Sequence, residues 1–164
     1  MSSNWKNVNN WYWVNKNCLN WAQKYFAEQL EGLKTEKDGH TVSIIKLDDC
    51  SGDVDLNMRK GKIITIYDVS LKLSFQGELV DGTEVSGSIT IPEVAHDSEA
   101  DDYVFDITIN EDSSAKQPIK PVIRKQLQPL ICEKLGNFAD DMIATHRNDV
   151  YIDPSKLNNP AATA

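Results

Sequence analysis

Apolar positions change their spacing several times along the chain, and each change marks an element. From Asn15 or Asn17, either of which can cap a helix, Leu19, Ala22, Phe26, Leu30 and Leu33 recur at helical spacing, with Trp21 and Tyr25 widening the stripe. This helix should stop between Gly32 and Gly39. Thr41 to Asn57 reads as a strand interrupted near Ser51-Gly52, where a lone glycine suggests a bend or bulge. The cleanest alternation follows: Ile63, Thr65, Tyr67, Val69, Leu71, Leu73 and Phe75 form one face of a strand, and Ser70, Lys72, Ser74 and Gln76 give the other a polar character. Ile64 and Ile66 break that polar face at its start. Either another part of the chain covers them or they belong to a docking patch.

Asp81-Gly82 marks a hairpin, after which Val85, Gly87, Ile89 and Ile91 carry a third strand that Pro92 ends or pushes to an edge. Tyr103, Phe105, Ile107 and Ile109 supply a fourth. Pro118 and Pro121 can open a helix whose apolar stripe runs through Ile123, Leu127, Leu130, Leu135, Phe138 and Met142, and Pro129 should kink or split it. The order predicts an α+β, two-layer elongated domain: an N-terminal helix, a four-stranded antiparallel meander, and a long C-terminal helix. At 164 residues, 40% of them hydrophobic, the chain suffices for one core. We expect a motif segment at 1–14, one domain at 15–152, and a flexible tail or linker stub at 153–164.

Charge sharpens this picture. The chain carries a formal net charge of -8, yet Arg59-Lys60-Gly61-Lys62 forms a tight basic loop between two strands, read either as a solvated hairpin tip or as a cationic probe aimed at a partner. From Leu73 to Ala115 there is no Lys or Arg while acidic residues accumulate, which suits either solubility or docking onto a basic surface. The overall acidity argues against nucleic acid and anionic membranes as partners. The start lacks the order of a secretory signal and no apolar run approaches membrane-spanning length, so a soluble cytoplasmic protein is expected. Cys18, Cys50 and Cys132 are odd in number and scattered, as reduced thiols packed as small hydrophobes would be.

Motifs for catalysis, nucleotides and metals are missing. His40, His96 and His146 fall in a turn, an acidic loop and a helix end, and read as unrelated surface histidines. Asp48 to Asp55 has the composition of a calcium loop but not its spacing, since Arg59 stands where the bidentate Glu belongs. We therefore expect no catalytic residue, no metal and no cofactor.

Asn9-Asn10-Trp11-Tyr12-Trp13 leading to Lys16-Asn17-Cys18, taken with Arg59-Lys60-Gly61-Lys62, Ile91-Pro92-Glu93-Val94, Asp97-Ser98-Glu99 and Ala144 to Asp149, resembles the N-terminal domain of the activators of heat shock protein 90 (Hsp90) ATPase. The resemblance runs from about Val8 to Ile152. It implies a non-enzymatic co-chaperone, monomeric when free, that binds the middle domain of Hsp90 and stimulates its ATPase. The alternative is an acidic adaptor without stimulation, and a hydrolase using His96, Asp97 and Glu99 is a third reading. The family's activating loop maps onto Arg59, Lys60 and Lys62, with the local spacing RKGK. Its tryptophan motif maps onto Asn9, Asn10, Trp11 and Trp13, and Tyr12 replaces the usual histidine. Its docking face implies Asp53, Ile64, Ile66, His96, Asp97 and Glu99, with His96 where an apolar aromatic is common. Larger members continue into a second domain after a polar linker, and Pro154 to Ala164 fits such a linker or the end of a shorter relative.

Overall fold

The computed structural model describes residues 14–150, with the tryptophan motif at Asn9 to Trp13 and the tail after Val150 lying outside the described residues. Six strands, β1 (Val14–Asn17), β2 (Lys34–Lys37), β3 (His40–Arg59), β4 (Lys62–Glu78), β5 (Glu84–Ala95) and β6 (Asp106–Ile109), make one antiparallel sheet. Its order is β1-β3-β4-β5-β6, with β2 also paired to β3. The expected meander is thus β3 to β6. β1 and β2 are two further strands, each only four residues long, too short to show a period of their own.

One face of the sheet is covered. Helix α1 (Leu19–Leu30) packs there with Ala22, Tyr25, Phe26 and Leu30 buried, alongside a second helical layer after residue 118. Asn17 Oδ1 accepts the Leu19 N–H at 3.0 Å, and the helix ends at Leu30, just before Gly32 at φ +89. The second layer is broken twice: α2 (Ile119–Val122), a π segment (Ile123–Leu127), α3 (Gln128–Gly136) and α4 (Phe138–Val150). Pro129 cannot donate to Lys125 O and its ring crowds that carbonyl, so the wider π turn just before it relieves a clash that a regular helix would keep. The second break, at Asn137, was not anticipated from the sequence, since the apolar stripe runs through it.

Strand β3 corrects another expectation. Its register against β4 slips at Ile45 and at Asp48, each an extra residue opposite a single step of β4, and not at Gly52. Each bulge shifts the inward parity, so Val42 and Ile44, then Leu47, then Cys50, Val54, Leu56 and Met58 turn to the core, and Ile45 is left 52% exposed. Gly52 sits in regular register but at φ +135, where a Cβ would lie 2.2 Å from the Asp68 carbonyl oxygen. In β5, Ile91 to Val94 takes three steps against two in β4, and this bulge holds Pro92 beyond the end of the β6 ladder. β5 therefore runs past Pro92 to Ala95. The predicted fourth strand survives only as Asp106–Ile109.

The flank of β3 between β2 and β1 is bonded piecemeal. Gly32 N–H and Leu33 C=O pair with Ile44, Glu31 Oε2 accepts from Leu47 N–H, Gln23 Nε2 donates to Cys50 O, and Cys18 N–H donates to Val54 O. Cys18 and Cys50 are buried thiols outside any disulfide and Cys132 is half-buried, as expected of packed small hydrophobes. Burial, with a smaller contribution from Asp49, pushes the Cys50 thiol up to about 11.

Candidate functional site

The basic loop is a two-residue hairpin tip. Lys60 at φ +51 and Gly61 at φ +81 form the turn, and Arg59 pairs with Lys62 as the last rung of the β3–β4 ladder. With both turn residues in the left-handed region the loop has little room to vary, and Arg59, Lys60 and Lys62 are all exposed at its end. Asn9, Asn10, Trp11 and Trp13 lie outside the described residues.

Next to the tip, the uncovered sheet face carries the rows Asn15, Asn57, Ile64, then Asn17, Asp55, Ile66, then Asp53 and Asp68. Ile66 is 41% exposed and Ile64 is half-buried, so the apolar break in the polar face stays open to solvent at Ile66. Asn57 is buried, with Oδ1 unpartnered. Asp53 and Asp68 stand directly opposite each other, an arrangement of like charges that destabilises the free sheet and that a cation set between them would relieve.

The turn after β5 sits at the edge of β4, beside Tyr67. His96 N–H donates to Tyr67 O at 2.9 Å and its ring Nδ1 lies 3.2 Å from the same oxygen, while Ser98 Oγ accepts from Ala95 N–H at 3.1 Å. His96, Asp97 and Glu99 are exposed on this turn, and Asp102 Oδ2 accepts from Glu99 N–H at 2.8 Å. The fold therefore puts Asp53 and Ile66 on the open face of neighbouring strands, and His96, Asp97 and Glu99 on the turn at the edge of β4 beside Tyr67, with the cationic tip beyond Ile64.

Beneath Ile66 the support is aromatic. Tyr67 points inward onto Phe138 at 4.8 Å between ring centres, Phe138 stacks on Phe26 at 4.5 Å, and Trp21 and Tyr25 join them. Tyr25 OH donates to Asp141 Oδ2 at 2.5 Å, tying α1 to α4. Burial above all, then Tyr103 and Asp97, pushes the Tyr67 hydroxyl up to about 12. This layer was invisible in the helical stripes alone, because Tyr67 and Phe138 meet only once strand and helix cross.

The histidines do not converge, but they are not all surface groups. His40 Nδ1 accepts the Val80 N–H at 3.0 Å, and His146 is half-buried with its ring edge-on to Trp21 at 5.0 Å. Among the described residues no group of His, Cys, Asp and Glu is arranged to hold a metal, and no helix is long and apolar enough to cross a membrane.

Residues 15–146 match the family model described as "Activator of Hsp90 ATPase, N-terminal". The chain belongs to this family. It is 40% identical over 162 residues to the uncharacterized protein C1711.08 of Schizosaccharomyces pombe, covering 99% of this chain and 48% of that protein. To the Hsp90 co-chaperone AHA1 of Saccharomyces cerevisiae it is 38% identical, over 93% of this chain and 45% of the relative. The chain thus spans about half the length of these two relatives. It is also 30% identical to the Hsp90 co-chaperone HCH1 of the same yeast, over 89% of this chain and 97% of that one. The crystal structure of Aha-1 from Plasmodium falciparum superimposes with a TM-score of 0.72 at 28% identity, covering 82% of this chain and 91% of the other. The solution structure of the human Aha1 N-terminal domain, 18% identical with a TM-score of 0.62, shares the fold.

Proposed function

We propose that this Hsp90 activator-family domain is a non-catalytic co-chaperone that binds the middle domain of Hsp90 and raises its ATPase activity. The observation that carries the reading is the exposed Ile66 between Asp55 and the opposed Asp53 and Asp68, on the same strand pair that ends in Lys60 and Gly61. An apolar anchor ringed by carboxylates suits a basic partner surface with an apolar centre, and a short tip held by its turn can then present three cations at a fixed distance from that anchor. Ile64 and Ile66 supply desolvation, Asp53, Asp97 and Glu99 supply steering, His96 lines the edge, and Arg59, Lys60 and Lys62 act on the partner's catalytic region. Asn9, Asn10, Trp11 and Trp13 contribute to full stimulation.

No step of hydrolysis is assigned to this chain, so it acts by binding the hydrolysis-competent state of Hsp90 more tightly than the others. The test is ATP turnover by the domain alone, by Hsp90 alone, and by the mixture with and without an Hsp90 inhibitor. Turnover raised only in the mixture, and abolished by the inhibitor, supports the proposal. Tight binding with unchanged turnover would make the domain an adaptor, and turnover by the domain alone would make it an enzyme.

A further inference from the structure

At the opposite end of β3, a 20-residue strand and so roughly 60 Å from the basic tip, a second basic region interrupts the acidity of the molecule. A cleft of about 280 Å³ opens there between the β2–β3 turn and the first turns of the second helical layer. Pro118, Pro121 and Val122 give it an apolar floor, and Lys37 and Lys125 stand at its mouth, both exposed. Asp38 is the one acid lining it, against two lysines, in a chain whose net charge is -8. The helical stretch behind it, Ile119–Leu127, adds Lys120 and Arg124 and contains no acid. No hydrogen bond or ion pair within the described residues engages the ammonium of Lys37 or Lys125.

One wall is braced. His40 lines the cleft, and because its Nδ1 accepts the Val80 N–H, the neutral ring carries its proton on Nε2. That bond locks the β2–β3 turn to the β4–β5 hairpin. Gly39 packs there so closely that a Cβ would come within 2.7 Å of Val80 Cγ2, and Val80 itself is 67% exposed beside it.

We propose that this cleft is a docking site for an acidic peptide segment of a partner protein, its carboxylates against Lys37 and Lys125 and an apolar side chain on the proline floor. The floor decides between acidic peptide and free phosphate. Phosphate is held by converging donors, whereas Pro118 and Pro121 have no N–H to give and offer apolar surface. An acidic segment with interspersed leucines uses both the charge and the floor. The site does not rest on the role assigned to the basic tip.

The test is an amide NMR titration of the isotope-labelled chain with an eight-residue peptide of alternating Glu and Leu. Inorganic phosphate and the matching Lys-Leu peptide are titrated in parallel. Shifts should concentrate at Lys37, Gly39, His40, Val122 and Lys125, and weaken with added salt. The double variant Lys37→Glu, Lys125→Glu should raise the Kd at least tenfold, and the milder Lys37→Gln, Lys125→Gln pair about threefold, with the unfolding temperature recorded for each. The proposal is overturned if the cleft amides stay still, if the shifts gather at Arg59 to Lys62, if phosphate alone reproduces them at equal concentration, or if neither pair weakens binding.

Discussion

Replacing Ile66 by Ala removes the exposed apolar anchor of the proposed docking face, and its effect can be worked from the structure. Complete burial of an isoleucine contributes about 1.5 to 3 kcal/mol. Ile66 is already mostly covered and retains 41% of its surface for a partner to bury, so docking gains about 0.6 to 1.2 kcal/mol at this position. The Kd for Hsp90 should therefore rise roughly three- to sevenfold. At saturating concentration the stimulated turnover should be unchanged, because the cationic tip is intact. Lys60→Glu should do the reverse, cutting turnover at saturation severely and the affinity by under about 1 kcal/mol, the contribution of an exposed charge. Ile66→Asp should be worse for binding than Ile66→Ala, since it buries a carboxylate and sets it opposite Asp55. Calorimetry gives the Kd and a coupled assay the turnover. If Ile66→Ala and Lys60→Glu lose affinity and turnover in the same proportion, anchoring and activation are not separate and the reasoning fails.

Asp68→Asn removes the like-charge pair with Asp53, so the free domain should gain a few tenths of a kcal/mol, about 1 °C in unfolding temperature, while its association with Hsp90 slows at low salt; faster association would contradict the basic-partner reading. Gly52→Ala forces a Cβ to 2.2 Å from the Asp68 carbonyl at φ +135 and should destabilise by roughly 3 kcal/mol or more, read by denaturant unfolding, with a loss under 1 kcal/mol refuting the close approach. Cys50, raised from 9.0 to about 11, and Tyr67, raised from 10.0 to about 12, fold in their neutral forms. Their contribution to stability is whole below pH 9 and is lost as pH climbs toward 11 to 12, so the unfolding temperature should be level from pH 6 to 8.5 and fall above pH 9. Cys50 should correspondingly resist thiol reagents at pH 8 until the chain is unfolded.

Where one residue pattern governs an element, that element was readable in advance. β4 keeps one inward parity from Ile63 to Phe75, disturbed only by Ile64 and Ile66 on its outer face, and its inward set is the buried one at Tyr67, Val69, Leu71, Leu73 and Phe75. β3 was blurred because the bulges at Ile45 and Asp48 change its parity twice, and an extra residue carries no signature of its own. Attention fell on Gly52 instead, where the true constraint is the nearness of the Asp68 backbone. The helix break at Pro129 was visible because proline acts locally, and the break at Asn137 was hidden because the stripe on either side continues. At the site, the turn of Lys60 and Gly61 followed from local spacing, whereas spacing left Ile66 either covered or open and only the packed fold shows it 41% exposed. The facing of Asp53 and Asp68 depends on a ladder register between two strands, which no single segment encodes.

The flank of β3 shows how this molecule can be held. Along that border Ile44, Leu47, Cys50 and Val54 already give or receive bonds from the short strands' connectors and from α1. An extended segment of a neighbour would find too few consecutive amides there to zip onto, and self-templated polymerisation along this side is blocked at the outset. A domain bordered this way meets a neighbour through side chains, and side-chain grips let go: the same tailoring that keeps copies apart favours a clasp that can be released.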